Sequence, residues 1–136
     1  MKYEYEELLK RARSQIPDIV AKHERLEVPR LQHSTIGMRT LIHNFREIAD
    51  TLNRNPQHLL KFLTGELATA ATTQGSRVIF QGKFRQDTLE RLIQRYVERF
   101  VVCPVCKRPD TNIVKEKRLS FMICEACGAK SSVRQL

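Results

Sequence analysis

All four cysteines of this 136-residue chain fall in two Cys-x-x-Cys pairs, and that pattern restricts the fold more tightly than any other feature. The run is Cys103-Pro104-Val105-Cys106, then seventeen residues, then Cys124-Glu125-Ala126-Cys127-Gly128. Two residues between cysteines let a loop fold back and bring both sulfurs to one tetrahedral ion, and Gly128 supplies the permissive backbone such a turn requires. The spacing is that of a structural zinc site, so Cys103, Cys106, Cys124 and Cys127 are expected to hold one zinc ion. Four thiolates complete the coordination sphere, so this metal should build a fold and not perform chemistry. Iron in a rubredoxin-like electron carrier uses the same ligands, and ligand identity leaves that alternative open. Two disulfides would need an oxidising compartment. The N-terminus, Met1-Lys2-Tyr3-Glu4-Tyr5-Glu6-Glu7, has no apolar signal segment, so a cytoplasmic protein is expected.

About 35 residues around these cysteines bury too little apolar surface to be stable unaided. Zinc binding, worth about 10–16 kcal/mol in small finger peptides, makes up the deficit. Thr111–Val114 and Leu119–Ile123 read as two strands around Lys115-Glu116-Lys117-Arg118, which makes residues 103–136 a four-cysteine zinc ribbon.

The remainder divides into three parts. In residues 1–17, Tyr5, Leu8, Leu9, Ala12 and Ile16 recur at helical spacing, and Pro17 ends the helix. Residues 18–30 form a charged linker long enough to reach roughly 45 Å when extended. The helix can therefore pack on its own core or in another protein's groove, and the residues leave both open. Residues 31–102 form an α+β core. Gly37-Met38 suits a tight hairpin between flanking strands, and Asn44 with Glu47 three residues on reads as a helix cap. Asn55-Pro56 starts a second helix, Ala68–Thr73 and Arg77–Phe80 read as strands, and a long helix from about Asp87 carries Leu89, Leu92, Ile93, Tyr96, Val97 and Phe100 on one stripe. The fold class is thus α+β: an N-terminal helix, a small mixed core with an antiparallel sheet and helices, and a C-terminal zinc ribbon.

Formal charge is +9, of which residues 31–102 and 103–136 carry +4 each and residues 1–30 only +1. A basic excess so placed favours a polyanion such as RNA, with Lys107, Arg108, Lys115, Lys117 and Arg118 as the candidate contacts. No apolar run approaches the roughly twenty residues of a membrane span. The chain has no phosphate-binding loop, no His-Glu-x-x-His and no Gly-x-Ser-x-Gly, and its four histidines form no constellation. It reads as a binding module and not an enzyme. The helix pair 45–52 and 56–67 supports one alternative, a zinc-ribbon transcription-type DNA-binding protein, although Leu59, Leu60, Phe62 and Leu63 suit packing better than base reading.

Longer runs carry a resemblance. Asn44-Phe45-Arg46-Glu47-Ile48-Ala49-Asp50, Leu52-Asn53-Arg54-Asn55-Pro56-Gln57-His58-Leu59-Leu60-Lys61-Phe62-Leu63, Glu66-Leu67, Gln81-Gly82-Lys83-Phe84 and the cysteine ribbon together resemble the archaeal beta subunit of translation initiation factor two. Gly37-Met38-Arg39-Thr40 departs from the Gly-Asn-Lys-Thr more usual there. The resemblance implies a heterotrimer whose gamma subunit binds GTP and initiator methionyl-tRNA, with the alpha subunit met only indirectly. It implies that the N-terminal helix docks on gamma through Tyr3, Tyr5, Leu8, Leu9 and Ala12. Core and ribbon would then approach the nucleotide or tRNA side of gamma and support initiation on the small ribosomal subunit.

Overall fold

The structure, a computed structural model, describes residues 3–17 and 26–136. The first part of the linker, residues 18–25, lies outside the described residues, and His23 with it. Helix α1 (Tyr5–Gln15) ends as its proline dictates: Ile16, just before Pro17, is already extended at φ −80°, ψ 122°. None of its residues is buried.

From Leu26 the chain lies along the core, with Leu26 and Val28 partly buried against it and Leu31 buried. Asn44 fastens this run. Its Oδ1 accepts from the Gln32 amide at 3.0 Å, and its Nδ2 donates to the Arg30 carbonyl at 2.9 Å. That corrects the capping role read from the sequence: Asn44 precedes helix α2 (Phe45–Thr51) but makes no side-chain bond to it. Asn44 is itself buried, so both ends of its amide need partners, and the Arg30 and Gln32 backbone supplies them.

Strands β1 (His33–Ile36), β2 (Arg39–Ile42), β3 (Ala71–Gln74) and β4 (Arg77–Gln81) form an antiparallel sheet in the order β1-β2-β4-β3. Gly37 and Gly75, each at φ +59°, open its two hairpin loops in a conformation that side-chain-bearing residues adopt at a cost. Strand β3 starts three residues later than the sequence suggested, because Ala68 closes helix α3 (Pro56–Leu67) in the left-handed region at φ 50°. Helix α3 itself begins as read: Pro56 occupies its first turn, and the Asn55 side chain accepts from the Gln57 amide at 2.9 Å.

Alternation along β2 and β4 buries Thr40, Ile42, Val78 and Phe80 on one face, with Thr40 opposite Phe80 and Ile42 opposite Val78. Over that face lie Phe45, Ile48 and Ala49 of α2, Leu59, Phe62 and Leu63 of α3, and Leu89, Ile93 and Tyr96 of α4 (Gln86–Tyr96). The α2–α3 pair is therefore part of the packed core. Helix α4 ends in one π turn, Val97–Val101, with the Val102 amide reaching back to the Val97 carbonyl at 2.9 Å. Between α3 and this turn His58, Phe62, Tyr96 and Phe100 form a four-ring cluster with centroids 5.1–5.7 Å apart.

The ribbon is a second antiparallel sheet, β5 (Thr111–Glu116), β6 (Leu119–Cys124) and β7 (Lys130–Val133), in that order. Strand β5 extends through Lys115 and Glu116, so the hairpin loop is only Lys117-Arg118. Strand β7, Lys-Ser-Ser-Val, is too short and polar to announce itself in sequence; pairing with β6 makes it a strand. Thr111 and Met122 are buried, and Ile113, Val133 and Leu136 pack partly buried against the core cluster. Arg54, 7% exposed, fills the junction. Its guanidinium donates to the carbonyls of Asn53, Phe100 and Thr111 and to the Thr111 hydroxyl. The Thr111 hydroxyl in turn donates to the Val101 carbonyl. The open carbonyls at the end of a helix are thus satisfied by a buried cation, the sign that their dipoles favour.

Candidate metal centre

The two cysteine pairs fold as near copies of one another. In the first, the Lys107 amide donates to the Cys103 carbonyl and the Cys103 amide to the Arg108 carbonyl, both at 2.9 Å. In the second, the Gly128 amide donates to the Cys124 carbonyl at 3.0 Å and the Cys124 amide to the Ala129 carbonyl at 2.9 Å. The residue after each pair is left-handed, Lys107 at φ 60° and Gly128 at φ 76°. Glycine meets that requirement freely in one copy, whereas lysine meets it under strain in the other.

This geometry brings the four sulfurs within 4.8 Å of one another. Cys103 and Cys127 Sγ are 3.6 Å apart, and Cys106 and Cys124 Sγ 3.5 Å, with all four cysteines free of disulfides. A tetrahedral ion with metal–sulfur bonds of about 2.3 Å needs sulfurs roughly 3.8 Å apart, so the donor set fits a metal of zinc's size. Cys103 and Cys124, the buried pair, have their thiols pulled below the ordinary value chiefly by backbone N–H groups, of Cys106 and Cys127 respectively. Cys127 shows this contact directly, its amide donating to the Cys124 sulfur at 3.4 Å. At Cys103 and Cys124, amides aimed at sulfur favour the thiolate, the form a metal takes, whereas the Cys106 thiol is pushed up, by burial first.

The cationic residues singled out from the sequence are all exposed, but they do not form one patch. Lys107 and Arg108 lie at the metal end of the β5–β6 hairpin, where Thr111 pairs with Cys124. Lys115, Lys117 and Arg118 lie at its tip, where Glu116 pairs with Leu119. Five strand steps separate the two ends, roughly 17 Å.

Tyr3, just ahead of α1, and Tyr5 and Leu8 on it are 67%, 76% and 44% exposed, while Ala12 is exposed and Leu9 half-buried. The apolar stripe read from the sequence is thus real and largely open to solvent. Among the described residues no helix is long and apolar enough to cross a membrane.

Sequence reading missed the groups that join ribbon to core. Asn53, left-handed at φ 53°, donates from its side chain to Asn112 Oδ1 at 3.3 Å, and Asn112 Nδ2 donates to the Glu125 carboxylate. Arg54 and Asn112 look like ordinary turn and strand residues; burial reveals the role of the first and the side-chain bonds to Asn53 and Glu125 that of the second. His58 also gains a partner that its position in sequence does not suggest, the Tyr96 hydroxyl at 2.8 Å.

Comparison with known proteins gives matches over nearly the whole chain. A family model for a domain found in initiation factors 2B and 5 matches residues 17–130. The chain is 45% identical over 136 residues to "Translation initiation factor 2 subunit beta" of Methanopyrus kandleri, covering 100% of this chain and 99% of that protein. It is 44% identical over 134 residues to the protein of the same description from Methanococcus vannielii, covering 98% and 97%. With that from Methanosarcina mazei it shares 45% identity over 133 residues, covering 98% of this chain and 66% of the relative.

Proposed function

Since the chain belongs to the family of archaeal translation initiation factor 2 beta subunits, we propose that it works in initiation as a non-catalytic adaptor: α1 docks on the gamma subunit, and core and ribbon contact RNA. The observation that carries this reading is the apolar stripe of α1, of which no residue is buried within the chain. An 11-residue helix is marginal in water without a surface to cover its apolar side. Tyr3, Tyr5, Leu8, Leu9 and Ala12 supply helix-in-groove anchors for such a surface. On this reading gamma binds GTP and initiator methionyl-tRNA, the alpha subunit is reached through gamma, and the assembled factor acts on the small ribosomal subunit in the cytoplasm.

The domain plan that goes with it is residues 1–17 for docking, 18–30 as tether, 31–102 as core and 103–136 as ribbon. Zinc is the proposed ion, held by Cys103, Cys106, Cys124 and Cys127 with the sphere closed, so its contribution is folding energy. Lys107 and Arg108 at one end of the ribbon, with Lys115, Lys117 and Arg118 at the other, are the proposed phosphate contacts.

Capture of the chain by its gamma subunit tests the docking. The Tyr5→Ala, Leu9→Ala double variant should lose at least tenfold in affinity while the core's thermal transition stays unchanged, each buried side chain contributing about 1.5–3 kcal/mol. Equal capture of the double variant, or of a chain lacking residues 1–17, sinks the docking role. Elemental analysis tests the metal; one equivalent of zinc is expected, and iron would move the ribbon to an electron-transfer reading.

A further inference from the structure

Two hydrogen-bonded routes run from the cysteine knuckles into the core. The first begins at Glu125, which lies between Cys124 and Cys127 and whose carboxylate accepts from Asn112. Asn112 accepts in turn from Asn53, in the turn between α2 and α3. The second runs through the walls around Arg54. Cys103 follows Val101 by two residues, and Cys124 is the register partner of Thr111. Val101 and Thr111 are hydrogen-bonded to each other, and Arg54 grips Thr111 on one side and Phe100 on the other.

An ion joining Cys103 to Cys124 therefore closes a ring: ion, Cys103, Phe100, Arg54, Thr111, Cys124. These two cysteines are the most buried of the four, 1% and 2% exposed. The ion ties together from outside the same two segments that Arg54 ties from inside. Without it, Arg54, Thr111, the Asn53–Asn112–Glu125 relay and the partly buried Ile113, Val133 and Leu136 still hold ribbon to core, but the ring is open.

We propose that metal occupancy of the four cysteines and the docking of the ribbon on the core are coupled, so that metal loss releases the ribbon from Asn53 and Arg54 and loosens the end of the last core helix. The proposal rests on the metal reading given above. Its consequence is a device sensitive to metal supply and thiol chemistry: the two cationic ends of the ribbon keep a defined orientation to the core only while the ion is held. Coupling is reciprocal by thermodynamic necessity. Whatever factor the ion adds to the ribbon–core seam, breaking the seam must remove from the affinity for the ion.

The test uses the full chain, zinc, and a competing chelator of known affinity. Asn53→Gly keeps the left-handed backbone at position 53 and deletes only the amide link to Asn112. Arg54→Lys keeps the charge and loses the fork. We expect the zinc Kd to weaken about two- to tenfold in Asn53→Gly, the net worth of one hydrogen bond, and further in Arg54→Lys. We also expect the Val102 amide, bonded to the Val97 carbonyl, to exchange faster in wild-type protein after zinc is stripped, with a smaller change in Asn53→Gly. Where Arg54→Lys does not fold, Asn53→Gly decides alone. A folded Asn53→Gly protein with wild-type zinc Kd, or a Val102 exchange rate indifferent to zinc, overturns the coupling and leaves the metal site standing. Failure of the wild-type chain to bind zinc at all overturns both.

Discussion

Arg54 holds Thr111 from 57 positions away, donating to its carbonyl at 2.6 Å and to its hydroxyl as well. Among the described residues the hydrogen bonds of this buried guanidinium go to three backbone carbonyls and one hydroxyl, with no carboxylate among them. Carbonyl dipoles at the end of the last core helix stand in for a counter-ion. The arrangement suits arginine specifically, because a planar fork reaches several acceptors that an ammonium cannot reach together.

Replacing Arg54 by methionine would keep much of the volume and strand the Phe100 and Thr111 carbonyls. A loss of about 3–5 kcal/mol is expected, from unsatisfied buried acceptors and the hydrogen bonds to charge that go with them. Urea unfolding should show a lower midpoint with an unchanged slope. A midpoint within experimental error of wild type would mean that Arg54 is incidental to the junction.

Acid should weaken the core through His58. Burial first, then the charges of Arg54 and Lys61, hold its imidazole below the ordinary 6.5. Burial also pushes the neighbouring Tyr96 hydroxyl above its ordinary range, so it remains a neutral partner. As pH falls through 6.5 the unfolded chain takes up the proton before the folded one does. The stabilisation associated with neutral His58 is therefore complete above 6.5 and is lost as pH drops toward the folded value. His58→Asn, which offers Tyr96 a similar polar atom without titrating, should show a smaller fall in Tm between about pH 7 and about pH 5. Parallel wild-type and variant curves would rule His58 out as the titrating group.

The strained lysines offer a gain in stability. Lys107 follows the first knuckle at φ 60°, and Lys117 opens the β5–β6 loop at φ 54°, the position that glycine holds in both core hairpins. Glycine at either site should stabilise the ribbon by about 1 kcal/mol, the left-handed penalty reduced by the extra freedom of the unfolded chain. Both substitutions also delete a proposed phosphate contact, so RNA affinity should fall while Tm rises. A drop in Tm for both would show that the lysine side chains do more for the fold than their backbone strain costs.

Cys106→Ser should separate ribbon from core. With one thiolate gone the ribbon loses most of a metal contribution of about 10–16 kcal/mol and should unfold. The core, with its own buried cluster from Leu31 to Val101, should keep a cooperative transition at a lower Tm because the ribbon no longer covers it. Amide exchange resolved by residue would check this: strands β5 to β7 lose protection, while β2, β4 and α3 retain it. Full exchange of β4 would show that the chain is one folding unit.

Local chemistry in the sequence was enough to locate the ribbon, the helix of residues 3–16 with its Pro17 stop, the Asn55-Pro56 start, the two glycine hairpins and the buried stripe of the last helix. Each of these depends on residues a few positions apart: a period of 3.6, a ring that locks φ, a Cβ that is absent, two sulfurs one loop apart. Tertiary structure alone decided that Asn44 fastens a neighbouring segment and leaves its own helix uncapped, that Lys-Ser-Ser-Val becomes a strand, that the five cationic candidates divide between two ends of a hairpin, and that Arg54 becomes the buried link between two sheets. Those outcomes turn on which polar groups lose their water when distant segments meet. No local pattern records that, because a buried donor takes whichever acceptor the packing leaves within about 3 Å.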